Sequence, residues 1–545
     1  MKRKNILFTG FFVSLLLASC IDLTETNENP TEITQVGGYL HLSTILSSTA
    51  NLYHVENFSS AEIITAMQYI QILNKVNECN YIWSQKDWTG YYDILRNNKT
   101  MYNSAEAQGN HFYKGVALVM KSFLFGYITD LWGDCPYTDA LKGDEGIYSP
   151  AFDTQEVIFN GIFADLEQAN EELSAQAENL SSSEGAYDLA YGGDAGKWRK
   201  MANSLALRYY MRLGAKQPDK AKAGIEKIMG DPSQYPVFGS NDDICQIAYP
   251  GQNAWDSWIG GPLRWTDNGN SFRNRKPCRT FINTLSALND PRLPVWFTPV
   301  EVQIVVEKPP YTYAEEDITV GNKRYVHDNA EILAGGQIEY DEGLYVGLPH
   351  NVTNRFYYNL TSMNEDARNV SVSYLTPRYN QDTDELVKAT LISYAEVCFI
   401  LAEAAFRGWS VGASAETYYN NGVKASLEQY RVGEGFDPYI RQDGAKYDGS
   451  LARIIEQKWI AQYLLPESWF DFRRTGLPEL PVNYPDGGKH PAIPVRFIYP
   501  TIETRNNTAN HAEAIGRLEK TPYSDLGNDD HYSKPWILQG TNKPW

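Results

Sequence analysis

Histidine and cysteine are scarce in this 545-residue chain, at eight and six copies. No His-Glu-x-x-His arrangement occurs and no two histidines share a helical turn, so a metallohydrolase has no ligand set. Beyond Cys20, the cysteines Cys79, Cys135, Cys245, Cys278 and Cys398 are odd in number and irregularly spaced, which implies no metal site and at most two disulfides. Cys398 falls on the apolar face of a helical pattern and is expected as a free, buried thiol. Basic residues are also in deficit: 48 Lys and Arg face 67 Asp and Glu, a net charge of −19. Phosphate contacts need clustered cations, so nucleic acid is excluded as a partner. After the first twenty residues no apolar run approaches the ~20 needed to span a bilayer, and no transmembrane helix is expected.

What is abundant is aromatic. Apolar residues make up 43 %, enough for a folded body, and the chain carries 37 Tyr and 13 Trp. Rings with a polar edge suit a surface that is wet and adhesive, and so point to binding.

Lys2, Arg3 and Lys4 precede an apolar run from Ile6 to Leu17, closed by Leu17-Ala18-Ser19-Cys20. This predicts a signal peptide over 1–19. The last four residues resemble a bacterial lipobox, in which Cys20 is acylated and lipid holds the protein to the membrane. Residues 20–38 then read as an acidic tether, with Asp22, Glu25 and Glu28; an acidic stretch in this place is similar to the surface-export signal of Bacteroidetes lipoproteins.

Helical periodicity runs from Gly115 to Leu131, where Pro136 is expected to stop it, and from Thr154 to Leu173 with Val157, Ile158, Ile162, Phe163, Leu166 and Ala169 as its stripe. Trp198 to Tyr209 and Pro218 to Met229 continue the pattern. It returns at Ser393 to Arg407, Ala413 to Tyr430 and Leu451 to Leu465. Helical hairpins without a strict period resemble decayed tetratricopeptide-type units. The expected fold is all-α, a helical scaffold over about 39–234 and 387–477. A loop-rich insertion is expected over about 235–386, and a wrapping C-terminal segment over 478–545.

Motifs with possible chemistry fail on context. Gly408-Trp409-Ser410-Val411-Gly412 matches a hydrolase pattern, but a helix precedes it where a nucleophile elbow needs a strand. Gly193-Asp194-Ala195-Gly196-Lys197 has Trp198 where Ser or Thr must bind magnesium. Asn380, Asp382 and Asp384 begin like a calcium loop, but Glu385 replaces the required Gly. No cofactor is expected, and structural calcium is not assignable. Glu396, Glu403, Glu467 and Asp471 lie among helix-packing residues near Arg407, Arg473 and Arg474, which suits structural ion pairs better than catalysis.

One feature survives. Tyr249, Asn253, Trp255, Trp258, Arg264, Trp265, Asn268, Asn270 and Arg273 share one Gly- and Pro-punctuated segment. Sugar rings stack a C–H face on an aromatic plane and present hydroxyls to amides and guanidinium groups, so this mixture suits carbohydrate. Asn77, Asn80, Tyr81, Trp83, Trp88 and Asn97 repeat it, as do Tyr345, Asn351, Asn354, Arg355 and Tyr357. The candidate ligand residues are Trp255, Trp258, Trp265, Arg264, Asn268, Asn270, Trp83, Tyr81 and Tyr345.

Asp130-Leu131-Trp132-Gly133-Asp134 with Pro136-Tyr137, Asp194 with Lys197-Trp198, and Ala202-Asn203-Ser204-Leu205 with Arg208 occur in order. Ala402-Glu403-Ala404 with Arg407-Gly408, Gln457-Lys458-Trp459, and Glu467 with Trp469-Phe470-Asp471-Phe472-Arg473-Arg474 follow, then Ile493-Pro494-Val495-Arg496 and Tyr499-Pro500 with Glu503. With the lipobox, this series resembles the SusD/RagB nutrient-binding outer-membrane lipoproteins of Bacteroidetes. Trp536 is followed by Ile537 where relatives often carry a second tryptophan. The resemblance implies that these matched residues are scaffold and that ligand is held by variable loops. It implies further that the partner is a SusC-like TonB-dependent transporter, and that the protein binds and delivers oligosaccharide at the cell surface without catalysis. Three alternatives stay open: a surface glycoside hydrolase, a peptide-binding member of the family, and a lid with no ligand of its own.

Overall fold

A computed structural model describes residues 38–545 apart from 177, 254–255, 260–268, 335–339, 351–357, 361–367 and 483–489. The signal peptide, Cys20, the tether up to residue 37, Trp255, Arg264, Trp265, Asn268, Asn351, Asn354, Arg355 and Tyr357 lie outside the described residues. The architecture is all-α with a few short strands.

The helices follow the apolar stripes, and six of the ten start at side-chain caps. They are α1 (Gly38–Ala50), α2 (Thr89–Gln108), α3 (His111–Trp132), α4 (Gln155–Ala175), α5 (Ala195–Arg212) and α6 (Pro218–Gly230). The second block holds α7 (Tyr394–Phe406), α8 (Ala415–Gln429), α9 (Leu451–Ala461) and α10 (Glu467–Thr475). Asn110, Thr154, Asp194, Ser393, Ser414 and Ser450 each accept a backbone N–H from the first turn of the helix that follows, pairing a donor the helix leaves open. Antiparallel neighbours pack as hairpins: α3 on α2 and α4, α5 on α4 and α6, α7 on α8.

Helix α3 is the axis of the first block. It is long and apolar enough to cross a membrane, contrary to the reading that nothing after the leader approaches this, but 94 % of its apolar window is buried. It is apolar all round because helices surround it. It ends at Gly133, with φ 102°, three residues before the proline expected to stop it. At Gly126 the α5 helix comes so close that an added Cβ would overlap the Tyr209 hydroxyl. Val157, assigned to the α4 stripe, is instead 42 % exposed, because the buried face runs through Gln155, Ile158 and Ile162 and leaves Val157 beside it.

A buried ion network ties the two helical blocks together. Arg208 meets Glu396 at 2.6 Å and Glu467 at 3.4 Å; Arg212 meets Asp130 at 3.1 Å and also pairs with Glu467. Arg474 meets Glu403 at 2.5 Å and Asp471 at 2.7 Å, and Lys458 meets Asp471 at 2.7 Å. Burial raises the Asp130 carboxyl to about 6 despite Arg212 and Arg473 beside it. At Glu403 burial pushes the same way, but Arg474 and Arg407 outweigh it and hold the carboxyl below its usual range.

The stretch from about Tyr235 to Leu386, read as irregular, contains helix Arg279–Ala287 and a small sheet in which Gln303–Glu307 runs parallel and Asp317–Val320 antiparallel to Lys323–His327. The C-terminal stretch includes two short helices, α11 (Thr501–Asn506) and α12 (Thr508–Gly516). It is pinned to α3: Trp132 Nε1 donates to the Ile498 carbonyl and Arg496 Nε to the Trp132 carbonyl. Cys79, Cys135, Cys245 and Cys398 are buried free thiols, and Cys278 is buried as well.

Candidate functional site

Helix α1 runs on through one π turn, Asn51–Val55, into the short helix Glu56–Ser60. A π turn bulges the backbone and re-aims its side chains, and such bulges occur often at functional sites. Here it carries Asn51 outward and turns His54 and Tyr53 into the core.

Facing it is the chain that leaves strand Cys245–Ile247, which pairs antiparallel with Ala389–Ile392. Gly251 takes φ 72° and opens a tight loop. One Asp256 oxygen accepts the Gln252 and Asn253 N–H groups at 2.8 and 2.9 Å, and the other accepts Asn253 Nδ2 at 2.9 Å. Trp258 closes the loop against the body: its N–H donates to the Asp382 carbonyl at 2.7 Å, and its indole N–H to the Tyr379 carbonyl at 3.1 Å. Its ring centroid lies 4.7 Å from that of His54 and 4.8 Å from that of Phe58. His54 Nδ1 hydrogen-bonds the Tyr249 hydroxyl at 2.8 Å, and burial pushes the imidazole pKa down to about 3.

Two cavities flank Asn51. One, of about 460 Å³, is bordered by Glu56, Asp93 and Asn97 together with Ser257 and Ile259. The other, of about 340 Å³, is bordered by Tyr249, Asn253, Asp256 and Leu189. Ser48 and Asn51 line both. Among the described residues the side chains of Ser48, Asn51, Glu56 and Asn97 have no hydrogen-bond or ion-pair partner, which leaves their donors and acceptors for a ligand.

Other cavities have a different character. One of about 320 Å³ between α2 and α3 has its rim paired internally: Lys121 and the Tyr137 hydroxyl both reach Asp165, and Lys99 donates to the Leu141 carbonyl. A polar cavity of about 770 Å³ beside α10 is lined by Arg407 and Arg474, both committed to Glu403.

The structure gives the sequence-derived candidates unequal surroundings. Trp258 is fully buried, with no ring face open. Trp83 is 6 % exposed, packs on Trp469 and Phe497, and donates its indole N–H to the Glu78 carbonyl. Tyr81 is buried, with its hydroxyl 2.7 Å from His350 Nε2. Tyr345 is half-buried against the main core. Asn270 begins the short helix Asn270–Arg273, and its side chain is outside the described set. Asn97, from the second aromatic-amide cluster, meets the loop of the first across the larger cavity. Ser48, Asn51, Glu56 and Asp93 escaped the sequence reading because they sit on helices, although the polar run Ser47-Ser48 one turn before Asn51 breaks an apolar stretch.

A family model described as starch-binding and associating with the outer membrane matches residues 29–500. The chain belongs to the SusD-like family. Solved structures share the SusD-like fold. A SusD homolog from Bacteroides fragilis aligns with TM-score 0.72 at 21 % identity, over 92 % of this chain and 100 % of that one. A Bacteroides vulgatus outer membrane protein linked to nutrient binding gives 0.69 at 26 %, over 92 % and 100 %. A chitin-binding protein gives 0.67 at 23 %, over 92 % and 99 %. No curated protein matches. In this SusD-like chain the ordered motif residues Asp130, Arg208, Glu403, Glu467, Asp471, Arg473 and Arg474 form the buried ion network, well inside the helices.

Proposed function

We propose that this SusD-like protein is a lipid-anchored, cell-surface glycan-binding protein that captures oligosaccharide at the cleft around Asn51. From there it would pass the ligand to a SusC-like TonB-dependent transporter. The observation that carries the reading is the pair of cavities whose Ser48, Asn51, Glu56 and Asn97 side chains have no partner among the described residues, one of them bordered by Asn253 and Asp256, between which Trp255 falls in the sequence. Hydroxyls on a sugar ring supply the missing partners, and Trp255 and Trp265 are the stacking platforms in this proposal. Cys20 is the proposed acylation point, after a signal peptide over 1–19 and before the tether over 20–38.

Binding without bond cleavage fits the chemistry and the family, whose members are binding proteins. Glycoside hydrolysis needs two carboxyl groups facing each other across a sugar, about 5–10 Å apart. Glu396, Glu403, Glu467 and Asp471, the acids that stood out in the sequence, are buried and held by arginine or lysine. The chitin-binding relative supports a saccharide ligand for this fold.

Affinity electrophoresis and calorimetry against starch, xylan, mannan and chitin oligomers test the reading, with product analysis in parallel. Binding with no new reducing ends is expected, weakened by Trp255→Ala and Trp265→Ala. Released products would replace it with the hydrolase, and silence across glycans and peptides with a lid.

A further inference from the structure

The cleft has a charge as well as a shape. Glu56, Asp93 and Asp256 border its two cavities, and no lysine or arginine among the described residues lines either one. The three carboxylates are in different states. Glu56 is exposed and has no partner among the described residues; Asp93 meets the exposed Arg96 at 2.9 Å; Asp256 is engaged by the backbone of its own loop. The remaining polar lining is neutral, from Ser48, Asn51, Asn97 and Asn253. The whole chain adds a same-sign background of −19. An acidic sugar brought here would lose its water, meet like charges and find no described cation in the lining, with Arg96 outside it already paired with Asp93, whereas a neutral hydroxyl would meet amides and an ammonium would meet Glu56.

From this we infer that the cleft selects by charge: neutral and amine-bearing oligosaccharides enter, uronate- and sulfate-bearing ones are refused, and Glu56 is the group that pairs with an amino-sugar nitrogen. The inference deepens the glycan reading and rests on it.

Three tetramers of comparable size separate the cases: glucosamine tetramer, cellotetraose and tetragalacturonic acid, titrated into the full-length protein at low and high salt. A set of starch, xylan and mannan tetramers runs alongside as the neutral panel. The expected order places the amine-bearing and neutral tetramers ahead of the galacturonate by about tenfold or more at low salt, with the gap narrowing as salt screens it. Glu56→Gln should remove about two- to fivefold of the amine's advantage over the neutral tetramers, the range for an exposed ion pair. Arg264→Gln should leave the order as it is. Tetragalacturonate binding as tightly as the neutral tetramers overturns the charge inference while leaving glycan capture intact, and its loss in Arg264→Gln would show that Arg264 supplies the cation. Failure of every sugar to bind removes the glycan reading itself, and this inference with it.

Discussion

His54 Nδ1 lies 2.8 Å from the Tyr249 hydroxyl, joining the π turn to the loop that borders the cleft. The histidine is buried, and burial holds its pKa at about 3 against an ordinary 6.5. A pKa lowered by folding contributes stability that is present above the unfolded value and is lost as pH falls toward the folded one. Between ~pH 7 and ~pH 5 the unfolded chain takes up a proton that the native chain refuses, a loss of about 2 kcal/mol. Asp130, held up to about 6, acts in the opposite sense, costing stability as pH rises through that value. The difference between wild type and His54→Gln isolates the histidine. Urea unfolding at the two pH values should show a shallower acid loss in the variant; equal slopes would sink the assignment.

Trp258 anchors the same loop from the other side. Truncating a fully buried tryptophan typically costs about 3–5 kcal/mol, and here two backbone carbonyls would also lose a donor or its alignment. Trp258→Ala should lower the thermal midpoint and weaken ligand through loss of loop order, while Trp255→Ala should weaken ligand at an unchanged midpoint. A Trp258→Ala protein as stable as wild type would contradict the anchoring role.

Helix boundaries were legible because periodicity reports burial directly: α3 was expected from Gly115 to Leu131 and spans His111–Trp132. The stop was misplaced because a left-handed Gly133 ends the helix before Pro136 can. Ring orientation was not legible. Trp83 and Trp258 sit in segments with turn-rich composition, but their indole N–H groups find backbone carbonyls and their faces find other rings, which composition cannot show. The polar cleft was hidden for a related reason. Its open side chains come from α1, the π turn, the short helix Glu56–Ser60 and α2, whereas turn-rich composition marks ligand groups only in loops.

Arg208 and Glu396 make a two-pronged contact in the core, with Arg208 Nε and one terminal nitrogen reaching the two carboxylate oxygens at 2.6 and 2.7 Å. Removing one partner leaves a buried charge uncompensated, at a cost of about 3–5 kcal/mol, whereas replacing both with apolar groups is often far milder. Arg208→Met should therefore lower the denaturation midpoint more than the Arg208→Met, Glu396→Met double variant does. Glu467 limits the recovery, since it also contacts Arg208 at 3.4 Å. A double variant that loses the sum of both single effects would show that the two side chains are uncoupled.

Asn97 and Asn98 are neighbours on α2 with different surroundings. Asn97 lines the larger cavity with no partner among the described residues, while Asn98 is 3 % exposed and donates its Nδ2 to the Ala117 carbonyl of α3 at 2.8 Å. A hydrogen bond to ligand contributes about 0.5–1.5 kcal/mol net, so Asn97→Ala should weaken glycan binding by about two- to twelvefold. Its thermal midpoint should not move, because the folded protein loses no bond. Asn98→Ala should do the reverse. It strands a buried carbonyl at a cost of about 1–3 kcal/mol and leaves the affinity of the folded protein close to wild type. Calorimetric titration and thermal unfolding of the two variants give four numbers, and the cleft is misplaced if Asn97→Ala binds as wild type does.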